Sequence, residues 1–403
     1  YYGNRWRTVL LAGMGRGGNG YFALDVTNPN SPSFLFAFQN DPTNKNVYHW
    51  DESGNRSDLN YTVGIVAEYD YSKLGEAWST PTIMAMPSGN TRKWVAVFGA
   101  GYNGGVNTDY GSAVYVIDLE DKGKVLKKID LTDVSNNIAN AVPATLTAIT
   151  PDTTSKAKYK GAMFYFADLE GKFWKLNLTN TGSLYEITQF FNAEATQEND
   201  RMAFFQVTPS IGNDGNLWMY YGTGNQQKLQ RMSADIKNRI FGFKDADFPK
   251  FKAVSSSTVA KLKNNTSTGG VCPTSADLGW YVDLDAHEKI TGKLALSNET
   301  VFASRYIPNN KNICNPGDSK LTEHNFACGN TLRGTKLGQG IATGAVIYKG
   351  KVYVGISGSG TEDIKDEKGN VIGQRKDNLI VFSPQKDSKG KGNVSYESWR
   401  EVF

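Results

Sequence analysis

The strongest constraint on the fold is an order of strands that recurs along the chain. Each recurrence opens with a strand that contains a proline, and Pro81, Pro143 and Pro209 lie 62 and 66 residues apart. Runs rich in β-branched and aromatic residues follow each proline and stop at Gly, Asn, Asp or Pro, whereas sustained helical periodicity is scarce. A repeated unit of about four strands predicts an all-β chain organised as a β-propeller.

The clearest copies of this unit predict the innermost strands of four separate blades, at residues 79–84, 142–149, 207–211 and 341–346. With a degenerate copy between residues 278 and 307 and the opening stretch from Thr8, the spacing gives six blades. A seventh would be shared by the two chain ends or formed by residues 61–68. A two-layer β-sandwich is the competing architecture, but it does not explain the repeated strand order.

Charge and hydropathy exclude several classes of function. The 403 residues carry 44 basic and 40 acidic side chains, a formal net charge of +4. This balance gives no reason to expect a nucleic acid or an anionic membrane as the partner. No run of 18 apolar residues occurs, so no membrane span is expected. The opening residues do not have the pattern of a signal peptide, and we expect the chain to be part of a longer protein.

The three cysteines allow two interpretations. In the first, Cys272, Cys314 and Cys328 are unpaired thiols. In the second, a Cys314–Cys328 disulfide pins the polar loop between them and leaves Cys272 unpaired, which would indicate an oxidising compartment. A zinc site is not expected, because the histidines do not lie at ligand spacing from the cysteines.

Glycine-rich segments are expected to form turns. Residues 13–18 match the spacing of a dinucleotide-binding fingerprint, but a strand rather than a helix follows them. The segments at 99–101, 222–224 and 358–360 also close strands, and we interpret all four as turns where backbones approach closely or φ is positive.

Five sequence segments, taken in order, resemble the C-terminal propeller of the PilC/PilY family of type IV pilus tip adhesins. They are GGNGYFALD at residues 17–25, STP at 79–81, GAGY at 99–102, ADLEGKFWKL at 167–176 and GWYVDL at 279–284. The resemblance implies an irregular seven-bladed β-propeller of mostly four-stranded antiparallel blades, with residues 1–403 as a single domain at the C-terminal end of a longer exported protein.

The same resemblance implies a function and a location. It implies an adhesin at the cell surface, the pilus tip or the outer membrane, which supports host-cell attachment, pilus biogenesis and twitching motility. The implied partners are a host-cell surface receptor or matrix, and pilin or minor pilins.

Calcium is the one cofactor that the resemblance suggests. The family's calcium loop would fall at residues 151–160, but Lys156, Lys158 and Lys160 leave Asp152 as the only carboxylate, so no calcium is expected there. A better series of oxygen ligands alternates along Asp51, Ser53, Asn55 and Asp58. A solvated hairpin tip is the alternative interpretation of those four residues. The carboxylates Asp363, Asp366 and Glu367 are expected to form a charged hairpin turn.

An enzyme is the alternative class of function, in the form of a quinoprotein-type propeller dehydrogenase. Such enzymes typically stack their cofactor on a disulfide between adjacent cysteines, and this chain has no adjacent pair. Asp25, Asp118 and Asp168 recur at equivalent repeat positions, which favours structural turns over a catalytic role. We therefore predict no catalytic residue and no enzyme activity.

A binding module agrees better with the sequence, because loops held on rigid blades are typical binding elements. The candidate loops are residues 40–60, 225–238, 255–277 and 307–338. The second carries Lys228, Arg231 and Lys237, which suit either an acidic glycan or lipid surface or a solvated basic loop.

Overall fold

The structure is a computed structural model that describes residues 6–89, 91–105, 109–132, 134–135, 138–151, 161–267, 270–309 and 315–385. Within these ranges the chain forms 31 β-strands and two single-turn 3-10 helices, Ala67–Tyr69 and Val259–Lys261. The all-β class predicted from the sequence is confirmed. No helix in the described ranges has the length and apolar content that crossing a membrane requires.

The chain divides into two compact units. Unit 1 contains Tyr1–Gln197, Met202–Gln206 and Asp247–Ser257, and unit 2 contains Glu198–Arg201, Val207–Ala246 and Thr258–Phe403. The single propeller domain expected over residues 1–403 stays a prediction.

The first fifteen strands all lie in unit 1. They are β1 Val9–Gly13, β2 Gly20–Asp25, β3 Ser33–Asp41, β4 Asn46–Trp50, β5 Arg56–Asn60, β6 Thr82–Ser88, β7 Thr91–Gly99, β8 Ala113–Asp118, β9 Val125–Asp130, β10 Val134–Ser135, β11 Ile138–Ala139, β12 Thr147–Ile149, β13 Gly161–Ala167, β14 Lys172–Thr179 and β15 Ile187–Asn192.

The remaining strands lie in unit 2, except that β19 begins with Ser257, the last residue of unit 1. They are β16 Thr208–Ile211, β17 Leu217–Gly222, β18 Arg239–Asp245, β19 Ser257–Thr258, β20 Leu262–Asn264, β21 Gly279–Asp283, β22 Lys289–Ile290, β23 Ala295–Ser297, β24 Thr300–Ile307, β25 Asp318–Asn325, β26 Thr331–Gln339, β27 Val346–Tyr348, β28 Lys351–Gly355, β29 Thr361–Lys365, β30 Val371–Lys376 and β31 Leu379–Phe382.

Six sheets of four or five strands account for nearly all the described strands. Their orders are β1-β2-β3-β4-β5, β6-β7-β8-β9, β12-β13-β14-β15-β19, β16-β17-β18-β21-β20, β22-β24-β25-β26 with β23 on β24, and β27-β28-β31-β30-β29. Strands β10 and β11 form a two-stranded ladder. Six sheets agree in number with the six repeats, but the degenerate copy at 278–307 is divided, because β21 joins the sheet of β16–β18. Residues 61–68 contain no strand, so the suggestion that they form a seventh blade is wrong. The seventh blade itself stays a prediction.

The predicted innermost strands belong to separate sheets, as expected. Strands β6, β12, β16 and β27 each begin a sheet and lie at one of its edges. The second and the fourth are shorter and begin later than predicted, since β12 covers only Thr147–Ile149 and β27 covers only Val346–Tyr348. Gly344 and Thr343 precede it as irregular chain, and the Thr343 side chain accepts a hydrogen bond from the Gly355 N–H at 3.1 Å.

The sheet β6–β9 shows why some strands are continuously apolar. Every residue of β8 is buried. Because side chains alternate across a strand, Ala113, Tyr115 and Ile117 pack into the core shared with β1–β5. Val114 and Val116 pack into the core shared with β12–β15. A sheet covered on both faces therefore needs an unbroken apolar run.

Hydroxyl groups at the start of one sheet bond to the next sheet of unit 1. The buried Ser79 hydroxyl donates to the Ala144 carbonyl at 2.8 Å and accepts from the Gly99 N–H at 2.9 Å. The Tyr21 hydroxyl donates to the Ser79 carbonyl at 2.7 Å. Ser79 therefore ties together segments that belong to three sheets.

The glycines beside Ser79 make this close approach feasible. A Cβ atom on Gly99 would overlap the Val142 carbonyl oxygen, and one on Gly101 would overlap the Glu76 carbonyl oxygen. Gly101 also has a φ of +90°, a conformation that other residues rarely adopt. The close backbone approach and positive φ expected for this segment are confirmed, although the segment ends a strand and joins a bridge to Val142 rather than forming a turn.

Replacing Ser79 with Ala is expected to destabilise unit 1. The change leaves the buried Gly99 N–H and Ala144 carbonyl without the Ser79 hydroxyl, and each unsatisfied group costs about 1–3 kcal/mol. We expect the free energy of unfolding in urea to fall by about 2–4 kcal/mol. The control is Thr80→Ala at the exposed neighbouring position, and an equal loss in both variants would contradict the assigned role of Ser79.

Candidate functional site

Of the four predicted binding loops, residues 225–238 alone contain no strand within the described ranges. Residues 40–60 do not form the expected long loop, because β4 and β5 pair there as a hairpin. Residues 255–277 include β19, β20 and a 3-10 turn, and β25 and β26 occupy much of 307–338. We therefore take residues 225–238, the binding loop below, as the candidate site.

The two ends of the binding loop are fixed to neighbouring strands of unit 2. The Thr223 hydroxyl donates to the Asn238 side-chain carbonyl at 3.0 Å, and Asn238 Nδ2 donates to the Glu288 carbonyl at 2.9 Å. The Ile290 N–H donates to the Thr223 carbonyl at 3.1 Å. These hydrogen bonds of Thr223 and Asn238 form the base of the binding loop and hold it in one position on the sheet.

A buried carboxylate lies under the loop. Asp200 Oδ1 accepts a hydrogen bond from Asn225 Nδ2 at 3.1 Å and lies 3.5 Å from an Arg231 guanidinium nitrogen. Asp200 Oδ2 is buried without a hydrogen-bond partner among the described residues. Desolvation raises the pKa of Asp200, although the Asn225 hydrogen bond and nearby cations oppose the shift. One side chain thus anchors both ends of the segment from Asn225 to Arg231.

A buried lysine supports the loop from the other side. Lys289 Nζ donates to the Arg231 carbonyl at 2.8 Å and to the His287 carbonyl at 3.0 Å. Desolvation lowers the pKa of Lys289 to about 8, against the attraction of Asp200. Neither Asp200 nor Lys289 was predicted as a site residue, because each lies far from the loop in sequence.

The outer part of the loop, which we call the arc, comprises Gln226 to Arg231 and lines a shallow depression, wide open to solvent, of about 470 Å³. Gln226 Nε2 donates to the Ile290 carbonyl at 2.5 Å. Gln230 Nε2 donates to the Asn315 carbonyl at 3.1 Å, and its Oε1 accepts from the Asn309 N–H at 3.3 Å. Lys228 and Lys237 are exposed. The loop is therefore basic on its surface and fixed underneath.

Three of the proposed calcium ligands, Asp51, Ser53 and Asn55, lie in the hairpin tip between β4 and β5. Asp51 Oδ1 accepts the Ser53 and Asn55 N–H groups, both at 3.0 Å. Asp58 lies on β5 and pairs with Arg56 at 2.7 Å. Partial desolvation acts to raise the pKa of Asp51, but the hydrogen bonds from Asn55 and Ser53 outweigh it and lower that pKa. The described ranges contain no group of three or more His, Cys, Asp or Glu side chains that could hold a metal.

The same tip geometry recurs at two other hairpins. In each, the Asp N–H bonds to the carbonyl four residues on, and that residue's N–H donates to the Asp side chain. The bond from the Asp N–H is 3.1 Å long at Asp51, 3.0 Å at Asp168 and 3.0 Å at Asp366. The bond to the Asp side chain is 3.0, 3.0 and 2.9 Å long at the same three residues. A glycine follows three residues after each Asp, as a type I turn with a bulge requires. The predicted turn at Asp366 is confirmed, and the calcium site at Asp51 stays a prediction.

The recurring strand-end carboxylates also serve turns. Asp25, Asp118 and Asp168 accept backbone N–H groups of Thr27, Glu120 and Lys172 at 2.9, 2.9 and 3.0 Å. Asp168 is fully buried, and desolvation raises its pKa to about 7 against a 2.6 Å hydrogen bond from Trp174 Nε1. The expected structural role of these carboxylates agrees with these contacts.

The cysteine pairing differs from the prediction. Cys328 forms a disulfide with Cys272, with the two Cα atoms 4.5 Å apart, so the predicted Cys314–Cys328 pair is wrong and Cys272 is not free. Cys314 and the loop at residues 152–160 lie outside the described residues. The parallel pairing of β20 with β21 returns the Cys272 loop to Trp280, whose Nε1 donates to the Phe326 carbonyl at 2.9 Å. That contact places the loop beside the turn containing Cys328.

A buried histidine in unit 2 is held neutral by its contacts. His324 Nε2 lies 3.1 Å from Arg305, an obligate donor, and Nδ1 lies 3.1 Å from the Gly329 carbonyl. These contacts place the proton on Nδ1. Desolvation and the Arg305 charge lower the pKa of His324 to about 3.

His324 is expected to make the fold sensitive to acid. The pKa of His324 is lower in the folded chain than in the unfolded chain. Its contribution to the free energy of unfolding is therefore complete above about pH 6.5 and is lost as the pH falls toward 3. The loss should approach roughly 1.4 kcal/mol per pH unit. Urea unfolding of the parent and of His324→Gln at several pH values between these limits gives the slope of the free energy of unfolding against pH for each protein. The slope should be steeper for the parent. Identical slopes would contradict a neutral buried His324.

Comparisons with known proteins agree with the sequence resemblance. Residues 1–187 match the family model of the PilY1 beta-propeller domain. A type IV pilus biogenesis factor PilY1 homolog of Xylella fastidiosa is 25% identical over 362 residues, which are 79% of this chain and 21% of that protein. The type IV pilus biogenesis factor PilY1 of Pseudomonas aeruginosa is 31% identical over 178 residues, which are 44% of this chain and 12% of that protein.

The fold is also similar to a solved one. The crystal structure of the Pseudomonas aeruginosa PilY1 C-terminal domain matches with a TM-score of 0.59 at 15% identity, over 95% of this chain and 82% of that one. The resemblance to the PilC/PilY family is confirmed: the chain is similar to the PilY1 pilus biogenesis factors and to the PilY1 C-terminal domain. The matched part of the chain spans 21% of the length of the Xylella fastidiosa relative and 12% of the length of the Pseudomonas aeruginosa relative.

Proposed function

We propose that this chain is the propeller part of an exported type IV pilus protein that acts as an adhesin. In this proposal the protein lies at the cell surface, the pilus tip or the outer membrane. It supports host-cell attachment, pilus biogenesis and twitching motility, with a host-cell receptor or matrix and pilin or minor pilins as partners. The pilus biogenesis role named for the relatives supports this proposal, and the propeller would have seven blades in a single domain.

The binding loop is the observation that carries the adhesive role. Its base is fixed through Thr223 and Asn238, and Asp200 anchors it from below. Lys228 and Lys237 nevertheless stay exposed. A fixed loop loses little conformational entropy when it meets a partner, so its exposed side chains can contribute more of their contact energy to binding.

We favour a binding module over an enzyme. A quinoprotein-type site would use adjacent cysteines, whereas Cys272 and Cys328 are 56 residues apart. For calcium, the proposed ligands stay Asp51, Ser53, Asn55 and Asp58. Binding there would require the Asp58 carboxylate to leave Arg56 and the Asp51 carboxylate to share its oxygens with two turn N–H groups.

Neutralising the exposed lysines in the full-length protein tests the adhesive role. Lys228→Gln with Lys237→Gln should reduce attachment to host cells about tenfold, because each charge-assisted contact is worth about 1.5–3 kcal/mol. The backbone contacts of both residues stay available, so the amount of exported protein should not change. Attached bacteria are counted alongside surface pili and twitching.

The matched control is Lys365→Gln with Lys376→Gln, two exposed lysines of the same unit. The control should keep normal attachment. Normal attachment by the loop variant, or an equal loss in both variants, would refute the adhesive role of the loop.

A further inference from the structure

We propose that β1 accepts one further strand along its open edge, and that the segment of the longer protein that precedes Tyr1 supplies this strand. The open edge is the side of β1, Val9–Gly13, that faces away from β2. The inference concerns how the rest of the protein joins unit 1, and it does not depend on the adhesive role of the binding loop.

Sheet β1–β5 repeats the register of sheet β6–β9 but begins one strand later. Residues 9–13 of β1 lie opposite residues 25–21 of β2, and residues 95–99 of β7 lie opposite residues 118–114 of β8. Both pairs end at an aspartate that accepts the backbone N–H two residues on. Strand β1 is therefore the counterpart of β7.

The counterpart of β1 has a neighbour that β1 lacks. Strand β6 lies beside β7, and in the other sheets β12 lies beside β13, β16 beside β17, β23 beside β24 and β27 beside β28. In the part of the chain that the structure describes, no strand pairs with β1 on the corresponding side. Sheet β1–β5 therefore lacks the first strand of the repeat.

The backbone groups of the odd-numbered residues of β1 face the open edge. The Met14 N–H donates to the Gly20 carbonyl of β2 at 3.0 Å, and antiparallel partners bond at every second residue. Val9, Leu11 and Gly13 therefore present their N–H and C=O groups to the open edge. Such a row of backbone groups is a template for a further strand.

Strand β1 is also less buried than β7. Leu10 is 46% exposed, whereas Ala96 at the same register position is 0% exposed. Val9 is half-buried, whereas Val95 is fully buried. An apolar strand with an open edge promotes aggregation unless the edge is covered, so a covering strand is expected.

The strands that take this place in the other sheets indicate what the added strand contains. Three of them carry a threonine opposite the residue two positions before the end of the next strand. They are Thr82 opposite Val97, Thr147 opposite Tyr165 and Thr208 opposite Tyr220. Leu11 takes the corresponding position in β1, so we expect a threonine opposite Leu11.

A hydroxyl group ahead of the first strand completes the pattern in two sheets. The Ser79 hydroxyl accepts from the Gly99 N–H at 2.9 Å, and the Thr343 hydroxyl accepts from the Gly355 N–H at 3.1 Å. Each glycine is the last residue of its strand, as Gly13 is of β1. The added strand should therefore bring a serine or threonine to the Gly13 N–H.

The residues before β1 favour a hairpin from the same polypeptide as the source. Counted from Val9 and Val95, the Gly-Asn pair at residues 3–4 takes the place of the Gly-Asn pair at residues 89–90, which lies between β6 and β7. Gly-Asn between two strands is typical of a tight hairpin turn. Residues 386–403 contain no threonine. The relatives named above have most of their length outside the matched part, so further chain is available in proteins of this kind.

Hydrogen exchange of the 403-residue chain, read by mass spectrometry at single-residue resolution, tests whether β1 accepts a strand. The probe is the peptide STPTIMAMPS, which copies residues 79–88 and contains β6. It should slow exchange of the Val9 and Leu11 N–H groups at least about tenfold, because both become hydrogen-bonded. Val9→Pro removes an N–H that does not bond to β2, and it should abolish the protection of Leu11.

Two N-methylated peptides provide a matched control. Met84 lies opposite Val95, the counterpart of Val9, so the Met84 N–H faces the partner strand and the Ile83 N–H faces away. Methylation of the amide that copies Met84 should abolish protection, and methylation of the amide that copies Ile83 should preserve it. In the full-length protein the Val9 and Leu11 amides should be protected without any peptide.

Several results would overturn the inference. They are no protection by the peptide, equal protection by the two methylated peptides, and rapid exchange of Leu11 in the full-length protein. Protection of the 403-residue chain that disappears when residues 386–403 are removed would assign the edge to the chain's own end instead. Protection of the full-length protein only after pilin is added would assign the edge to a partner.

Discussion

The Ser79 hydroxyl is the interaction on which the arrangement of unit 1 most depends. It bonds to Gly99 within its own sheet and to Ala144 at the entry to the next, while Tyr21 of the preceding sheet bonds to its carbonyl. These bonds are buried, so each is costly to lose. The Thr82 hydroxyl repeats the link by donating to the Leu146 carbonyl at 3.2 Å. Apolar packing supplies the driving force, and these hydroxyls fix which residues face each other.

The repeated pattern made the strands and turns predictable because their causes are local. The turn at Asp168 follows from an Asp and a glycine at fixed spacing, and the continuous apolar run of β8 follows from burial on both faces. Local rules also have limits. The segment at residues 40–60 looks polar enough for a loop, yet β4 pairs with β3 and β5 pairs with β4, so both are regular strands.

The candidate site and the disulfide were harder to predict because their causes are tertiary. Asp200 meets Asn225 and Arg231 only after the chain has folded, and Lys289 arrives from β22. No spacing rule links these positions. Cys272 likewise reaches Cys328 through the parallel pairing of β20 with β21. The sequence indicated which loop is basic, and the structure adds what holds that loop in place.

Crosslinking in the intact bacterium tests most directly whether the binding loop is a contact surface. A photoreactive phenylalanine at position 227 of the full-length protein reports what the arc touches, and the same group at the exposed position 374 serves as control. We expect a crosslink from position 227 to a pilus component or to the host surface, and none from position 374. Crosslinks from position 374 alone would contradict it.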